Sequence, residues 1–415
     1  MSFGRALILT LAIPGPVAAA QVAGGPISIY ADRVLDGRGG VVRRSTVIID
    51  NGRILRIEPR RVDRPTLEFR SGTLLPGLID THVHLAAYIN RQGRMHTAAD
   101  GDTPAQSALS RAANAEATLA AGFTTVQSLG SDEDRDLRDW IARGGVAGPR
   151  VLTSLDPITD GSLTPEALRA EVARRVEAGA DVIKLFASRS IRDGGTPTMT
   201  REQLAAACDE AKTRGVRGVV HAHSAESIRA ATLAGCHQIE HGIFATKDVL
   251  DLMAARGTYF DPQCSLIFRN YLDHRAWFRG IGNFTDEGFP AMERAIPLAL
   301  EVIRQAGATP GLKLVYGTDA VAGAHGRNAA DLLCRVRQAG LRAADVIVSA
   351  TSLAAESLGL GDQIGSLTPG YQADLAVVDG NPLDDIAAIT RVLLVVKGGR
   401  VVHYDPTLTA LGGLR

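Results

Sequence analysis

The chain has 415 residues, with 45 basic and 45 acidic side chains and a formal net charge of +0. That balance, without a basic run, argues against nucleic acid or an anionic membrane as a partner. With 45% apolar residues the chain can bury a large core, and its length suits a barrel of ~250 residues plus a smaller companion.

Residues 1–20 read as a secretory signal. Arg5 precedes the apolar segment 6–13, and Ala18, Ala19 and Ala20 stand just before Gln21. The apolar run is too short to span a bilayer, so export to the periplasm or medium is expected, with the mature chain starting near Gln21. Cys208, Cys236, Cys264 and Cys334 are scattered and form no C-x-x-C. Export permits disulfides, but a chain of this length does not need them.

Between residues 21 and 75 short β-branched runs alternate with turns: Ile27–Ala31, Ser45–Asp50 and Arg53–Ile57, with Asn51-Gly52 as a hairpin turn. Residues 366–415 have the same texture, in Ala373–Val378 and Val392–Val396. Neither end has enough strands to bury its own face, so the two together are expected to form one small β-sandwich. Residues 76–365 alternate apolar strand-like runs with Ala/Arg/Glu-rich helical stretches such as 163–179 and 200–214. Strands are expected to end near His84, Ser128, Thr153, Lys184, His221, His241, Phe260 and Asp319. That alternation predicts an α/β fold, a (β/α)8 TIM barrel whose chemistry sits at the C-terminal strand ends.

The first of these strands follows Leu75-Pro76-Gly77, where Pro and Gly redirect the chain, and ends in His82-Val83-His84. Alternate strand side chains share a face, so the two imidazoles stand ~6–7 Å apart on one side, placed to grip one metal ion. Lys184, His221, His223, His241 and Asp319 fall at further strand ends, and five of the chain's ten histidines belong to this set. A lysine ending an apolar strand inside a barrel is costly as an ammonium. As a neutral amine it can add CO2 to become a carbamate, a two-oxygen anion able to bridge two cations. An ion pair with Asp181 or a neighbouring strand end is the simpler alternative.

These stretches resemble the amidohydrolase superfamily, and within it the imidazolonepropionase-related branch that includes Xaa-Pro and Xaa-Arg dipeptidases. The likeness is carried by Leu75–His84, Gly122–Val126, Gly179–Lys184, His221-Ala222-His223, Ile239–Gly242, Tyr316–Asp319 and Gly365–Asp374. It implies two divalent metal ions, with zinc favoured by the donor types. His82, His84 and Asp319 would hold one, His221 and His241 the other, and a carboxylated Lys184 would bridge them. Asp319 would take a proton from the attacking water and return it to the leaving amine, with His223 lining the substrate site as the next candidate base. The chain departs from the branch at the barrel mouth. Gln127-Ser128 stands where Arg-Asp is expected, and 153–160 replaces a Thr-Gly-Gly-His loop.

Residues 259–290 hold eight of the chain's nineteen aromatic residues, interleaved with Arg269, Arg275 and Arg279. Aromatics beside arginines suit an apolar side chain next to a carboxylate, so Tyr259 and Arg275, with His325 after the last strand, are expected substrate contacts. Packing of these aromatics into a helix interface is the alternative. The expected activity is hydrolysis of the amide before a free, hydrophobic C-terminal residue, in dipeptides, N-acyl amino acids or ochratoxin-like aryl amides. The rival enzyme is a mononuclear deaminase or cyclic-amide hydrolase, with Glu226 in H-x-x-E spacing from His223. A homo-oligomer is compatible with the sequence.

Overall fold

A computed structural model describes residues 25–405, so the proposed signal at 1–20 and the last ten residues lie outside it. Four strands come first: β1 (Ile27–Leu35), β2 (Val41–Asp50), β3 (Arg53–Glu58) and β4 (Leu67–Pro76). Then follow β5 (Leu78–Val83), β6 (Phe123–Ser128), β7 (Arg150–Thr153), β8 (Val182–Phe186) and β9 (Arg217–Ser224). The series continues with β10 (Gln238–Phe244), β11 (Tyr259–Asp261) and β12 (Lys313–Leu314), and closes with β13 (Leu375–Asp379), β14 (Val392–Lys397) and β15 (Arg400–Tyr404).

The two chain ends share one seven-stranded sheet, in the order β15-β14-β13-β4-β1-β2-β3. Where a two-sheet sandwich was expected, one curled sheet stands, because Ile54 of β3 bonds to Tyr371 and Gly370 on the segment leading into β13. Ile29, Val47, Leu74, Leu375 and Val396, all 2% exposed or less, fill the inside of the curl. At ~1.5–3 kcal/mol for each buried aliphatic side chain, that shared core ties the two ends together. Asn51 and Gly52 both take positive φ, which matches the expected hairpin turn. The sequence reading missed β4, whose Glu, Arg, Ser and Gly obscure the alternation.

β5 to β12 are parallel and lie in two sheets, β5-β6-β7 and β12-β11-β10-β9-β8. Single parallel bridges join them at both seams, Ile158 with Leu185 and Val83 with Ala320. Helices alternate with these strands as the pattern predicted. Thr164 and Thr200 cap helices Pro165–Glu177 and Arg201–Thr213, and Thr200 forms a capping box with Gln203. The last expected strand is shorter than the apolar run suggested, because Gly317-Thr318-Asp319 turns away with Asp319 at φ 56°. Gly77, between β4 and β5, has no alternative: a Cβ there would lie 2.1 Å from Thr124 Oγ1. Among the described residues no helix is long and apolar enough to cross a membrane.

Candidate active site

The C-terminal ends of the parallel strands open into a cavity of about 310 Å3, and all seven polar residues singled out at strand ends line it. β5 brings His82 to the floor, where its Nδ1 lies 2.9 Å from Glu240 Oε2. That carboxylate, itself held by Gln238, fixes the ring so that Nε2 points at the cavity. Asp319 Oδ1 sits 2.9 Å from His84 Nε2 and 3.4 Å from His82 Nε2. One atom from each of these three residues falls within 4.8 Å of the others, as in a metal ligand set. Close approach to His84 depends on Gly130, where a Cβ would lie 2.5 Å from Nδ1. The turn carrying Asp319 is braced from below by Asp80, which accepts from Thr318 N and Oγ1 and from Asn328.

The second half of the floor comes from β9 and β10. The His221 and His241 ring centres are 4.5 Å apart, and His82 is 5.2 Å from His241. His241 Nδ1 donates to Gln263 Oε1 at 2.6 Å, which leaves its Nε2 lone pair free. His241 and Asp319 both occupy the left-handed region, at φ 71° and 56°. Such backbone costs on the order of 1–3 kcal/mol and persists where surrounding structure imposes it, often at functional sites. Burial pushes His82, His221 and His241 well below the ordinary imidazole range, so all three present neutral lone pairs. Burial, with help from the charges of Arg192 and Lys184, takes His223 down to about 3.

Lys184, on β8, lines the same cavity. It is 1% exposed, its Nζ has no hydrogen-bond partner, and the expected alternative partner Asp181 is taken by Arg138 at 2.8 Å. Burial lowers its pKa, opposed by the charges of Glu240, Asp319 and Asp261. An unpartnered buried amine among four imidazoles and a carboxylate fits a site completed by cations, since buried polar groups are otherwise paired. His82, Glu240 and Asp261 form a second acid-rich cluster beneath, neutralised in part by the fully buried Arg335.

The expected substrate contacts fare differently. Tyr259 occupies the N-terminal end of β11, away from the cavity, where its hydroxyl donates to Glu356 at 2.7 Å. Arg275 points to solvent and pairs with Glu293, and Arg279 likewise with Asp286. The assignments of Tyr259 and Arg275 are corrected: Tyr259 lies on strand β11, and the helices that follow carry Arg275 on their outward face. His325 does not line the cavity, and sits against the backbone of His84 and Ala87. Of the clustered aromatics, Phe268 and Tyr271 do reach the cavity, backed by Phe278, Phe284 and Phe289 in one apolar cluster. Glu226 is exposed on the first turn of helix Ala225–Leu233, so the acid that a mononuclear deaminase reading relied on faces solvent.

Two cavity residues escaped the sequence reading. Arg192 follows β8 on a single 3₁₀ turn, in a loop with no pattern to set its direction. Asp134 is completely buried at the wall, and burial raises it to about 6. It approaches the Ser128 hydroxyl, so it supplies a carboxylate near the place where the branch's Arg-Asp is missing. The Gln127-Ser128 departure was the available signal.

This cavity, on parallel strands with His-x-His at the first strand end and a buried lysine, is that of an amide-bond hydrolase. Residues 73–402 match the model of the Amidohydrolase family, and the chain belongs to it. It is 25% identical to ochratoxinase from Aspergillus niger, over 90% of this chain and 86% of that protein. It is also 25% identical to imidazolonepropionase from Stenotrophomonas maltophilia, over 91% of this chain and 95% of the relative. Among solved structures, a Xaa-Pro dipeptidase with methionine bound in its active site superposes with a TM-score of 0.81 and 30% identity, over 91% of this chain and all of that one.

Proposed function

We propose that the chain is a binuclear metal-dependent amide hydrolase that releases a C-terminal amino acid from dipeptides, N-acyl amino acids or ochratoxin-like aryl amides. The observation that carries this reading is Lys184, a buried amine without a partner in a cavity lined by five histidines and Asp319. A neutral Lys184 amine would add CO2 and shed one proton, and the resulting carbamate would offer two oxygens to the cations. His82, His84 and Asp319 would hold one divalent cation, and His221 and His241 the other. Zinc suits these donors, and manganese, iron or cobalt fit them too. When bound, such cations supply Lewis-acid polarisation of the amide carbonyl and an acidified water.

The chain's own residues do the rest. Asp319 takes a proton from the attacking water at its carboxylate and passes it to the leaving nitrogen. His223 stays neutral and offers a hydrogen bond above the floor. Phe268, Tyr271 and Met292 give the mouth an apolar wall that shields the reacting amide from bulk water. Likeness to ochratoxinase and to a Xaa-Pro dipeptidase supports a substrate with an amide to an amino acid. Likeness to imidazolonepropionases favours a second reading, hydrolysis of a cyclic amide. The deciding experiment compares N-acyl amino acids and dipeptides with their C-terminal amides. Free acids are expected to turn over faster by ~10-fold or more, the discrimination expected of a charged hydrogen bond. Equal rates contradict the reading.

Export belongs to the same proposal. Two disulfides, Cys208–Cys236 and Cys264–Cys334, support an oxidising compartment. Intact mass of protein from its native host is expected to show an N-terminus near Gln21, and retention of Met1 would refute export.

A further inference from the structure

The three arginines that the sequence offered for carboxylate recognition do not line the cavity, yet the cavity has an arginine. Arg192 stands on the turn Ile191–Asp193, eight residues beyond Lys184, and lines the wall beside His223. Its guanidinium is aimed rather than loose. Nε donates to Asn283 Oδ1 at 2.7 Å, and Asn283 in turn donates to Asp193 at 2.6 Å. The guanidinium carbon lies 4.1 Å from the Phe284 ring centre and 5.5 Å from that of Tyr271. Gly288 lets the segment carrying Asn283 pack closely, since a Cβ there would sit 2.8 Å from the Asn283 carbonyl oxygen. One Nη lies 3.8 Å from Met292 Sδ, and the Tyr271 hydroxyl also faces the guanidinium. No ion pair engages Arg192 among the described residues, although Arg275 and Arg279 each have one. An oriented guanidinium facing a cavity without its own carboxylate is set up to receive one from a ligand.

We infer that Arg192 is the specificity-determining residue that reads the free α-carboxylate of the leaving amino acid, with Phe268, Tyr271 and Met292 packing its apolar side chain. This rests on the exopeptidase reading above and goes beyond it by naming the group that enforces it. The aromatic pair of Tyr271 and Phe284, with ring centres 4.7 Å apart, makes the charge effective. It excludes water from one face of the guanidinium while the other groups hold its plane. The substrate class follows: an amide whose leaving residue has a free carboxylate and an apolar side chain, with C-terminal amides and basic residues turned over poorly.

The test uses the metal-loaded enzyme and an N-acyl-phenylalanine with its C-terminal amide, in wild type, Arg192→Gln and Arg192→Lys. Thermal melts report whether each variant folds. The acid-over-amide preference in kcat/KM is expected to fall by on the order of 10- to 100-fold in Arg192→Gln, with partial retention in Arg192→Lys. Free L-phenylalanine, a product, should bind Arg192→Gln more weakly by a comparable factor in calorimetry. A preference that survives in both variants, or a uniform loss on acid and amide alike, makes Arg192 a packing strut and overturns the inference. A wild type that does not distinguish acid from amide overturns the exopeptidase reading itself.

Discussion

The two ends of the cavity are built by different means. Its floor stands on strand ends, where sheet register fixes each side chain to within one residue. His82 on β5, with His84 just past its end, Lys184 on β8 and His221 on β9 arrive at one place through period-two geometry, and His241 on β10 joins them through its left-handed backbone. Its mouth is made by loops and short helices after β8 and β11, where direction depends on packing between distant segments. Arg192 is held by Asn283, 91 residues away, and its ring partners Tyr271 and Phe284 come from that same distant stretch. A floor set by register can keep its chemistry while such a mouth is rebuilt for new substrates.

That contrast predicts a gradient of mutational effects. Asp319→Asn, on the floor, should leave the melting temperature near that of wild type and lower kcat by a factor on the order of 10² or more. A near-normal kcat would mean that another group moves the proton. Arg192→Gln, in the mouth, should act on KM and on the acid preference far more than on chemistry. Arg275→Ala, on the outer face, should change kcat/KM by less than about twofold, because its exposed pair with Glu293 is worth ~0–1 kcal/mol. A large loss in Arg275→Ala would place the outer face in the substrate path.

What could be read in advance follows the same line. The histidines, Lys184 and Asp319 were legible because each ends an apolar run, and strand spacing leaves few directions for a side chain. Arg192 was not, since Ser188–Gly195 has neither helix nor strand period. The arginines of 269–279 carried the right composition on the wrong face, because a short helix buries one side and the aromatics took it. The seven-stranded sheet was legible as paired ends but not as one curled sheet, since β3 meets residues 370–372 through bonds between segments more than 300 residues apart. The disulfides could not be foreseen from scattered cysteines, whose pairing is set by tertiary proximity.

The central claim is that Lys184 bridges two cations as a carbamate. Its most direct test is metal content per chain, measured together with carbon-13 NMR after reconstitution in labelled bicarbonate, for wild type and Lys184→Ala. The account predicts two divalent ions and one labelled carbamate in wild type. It predicts loss of the label, of most metal and of most activity in Lys184→Ala, partly restored by a short-chain carboxylate. One ion without a carbamate in wild type, or a full metal complement in Lys184→Ala, would contradict it.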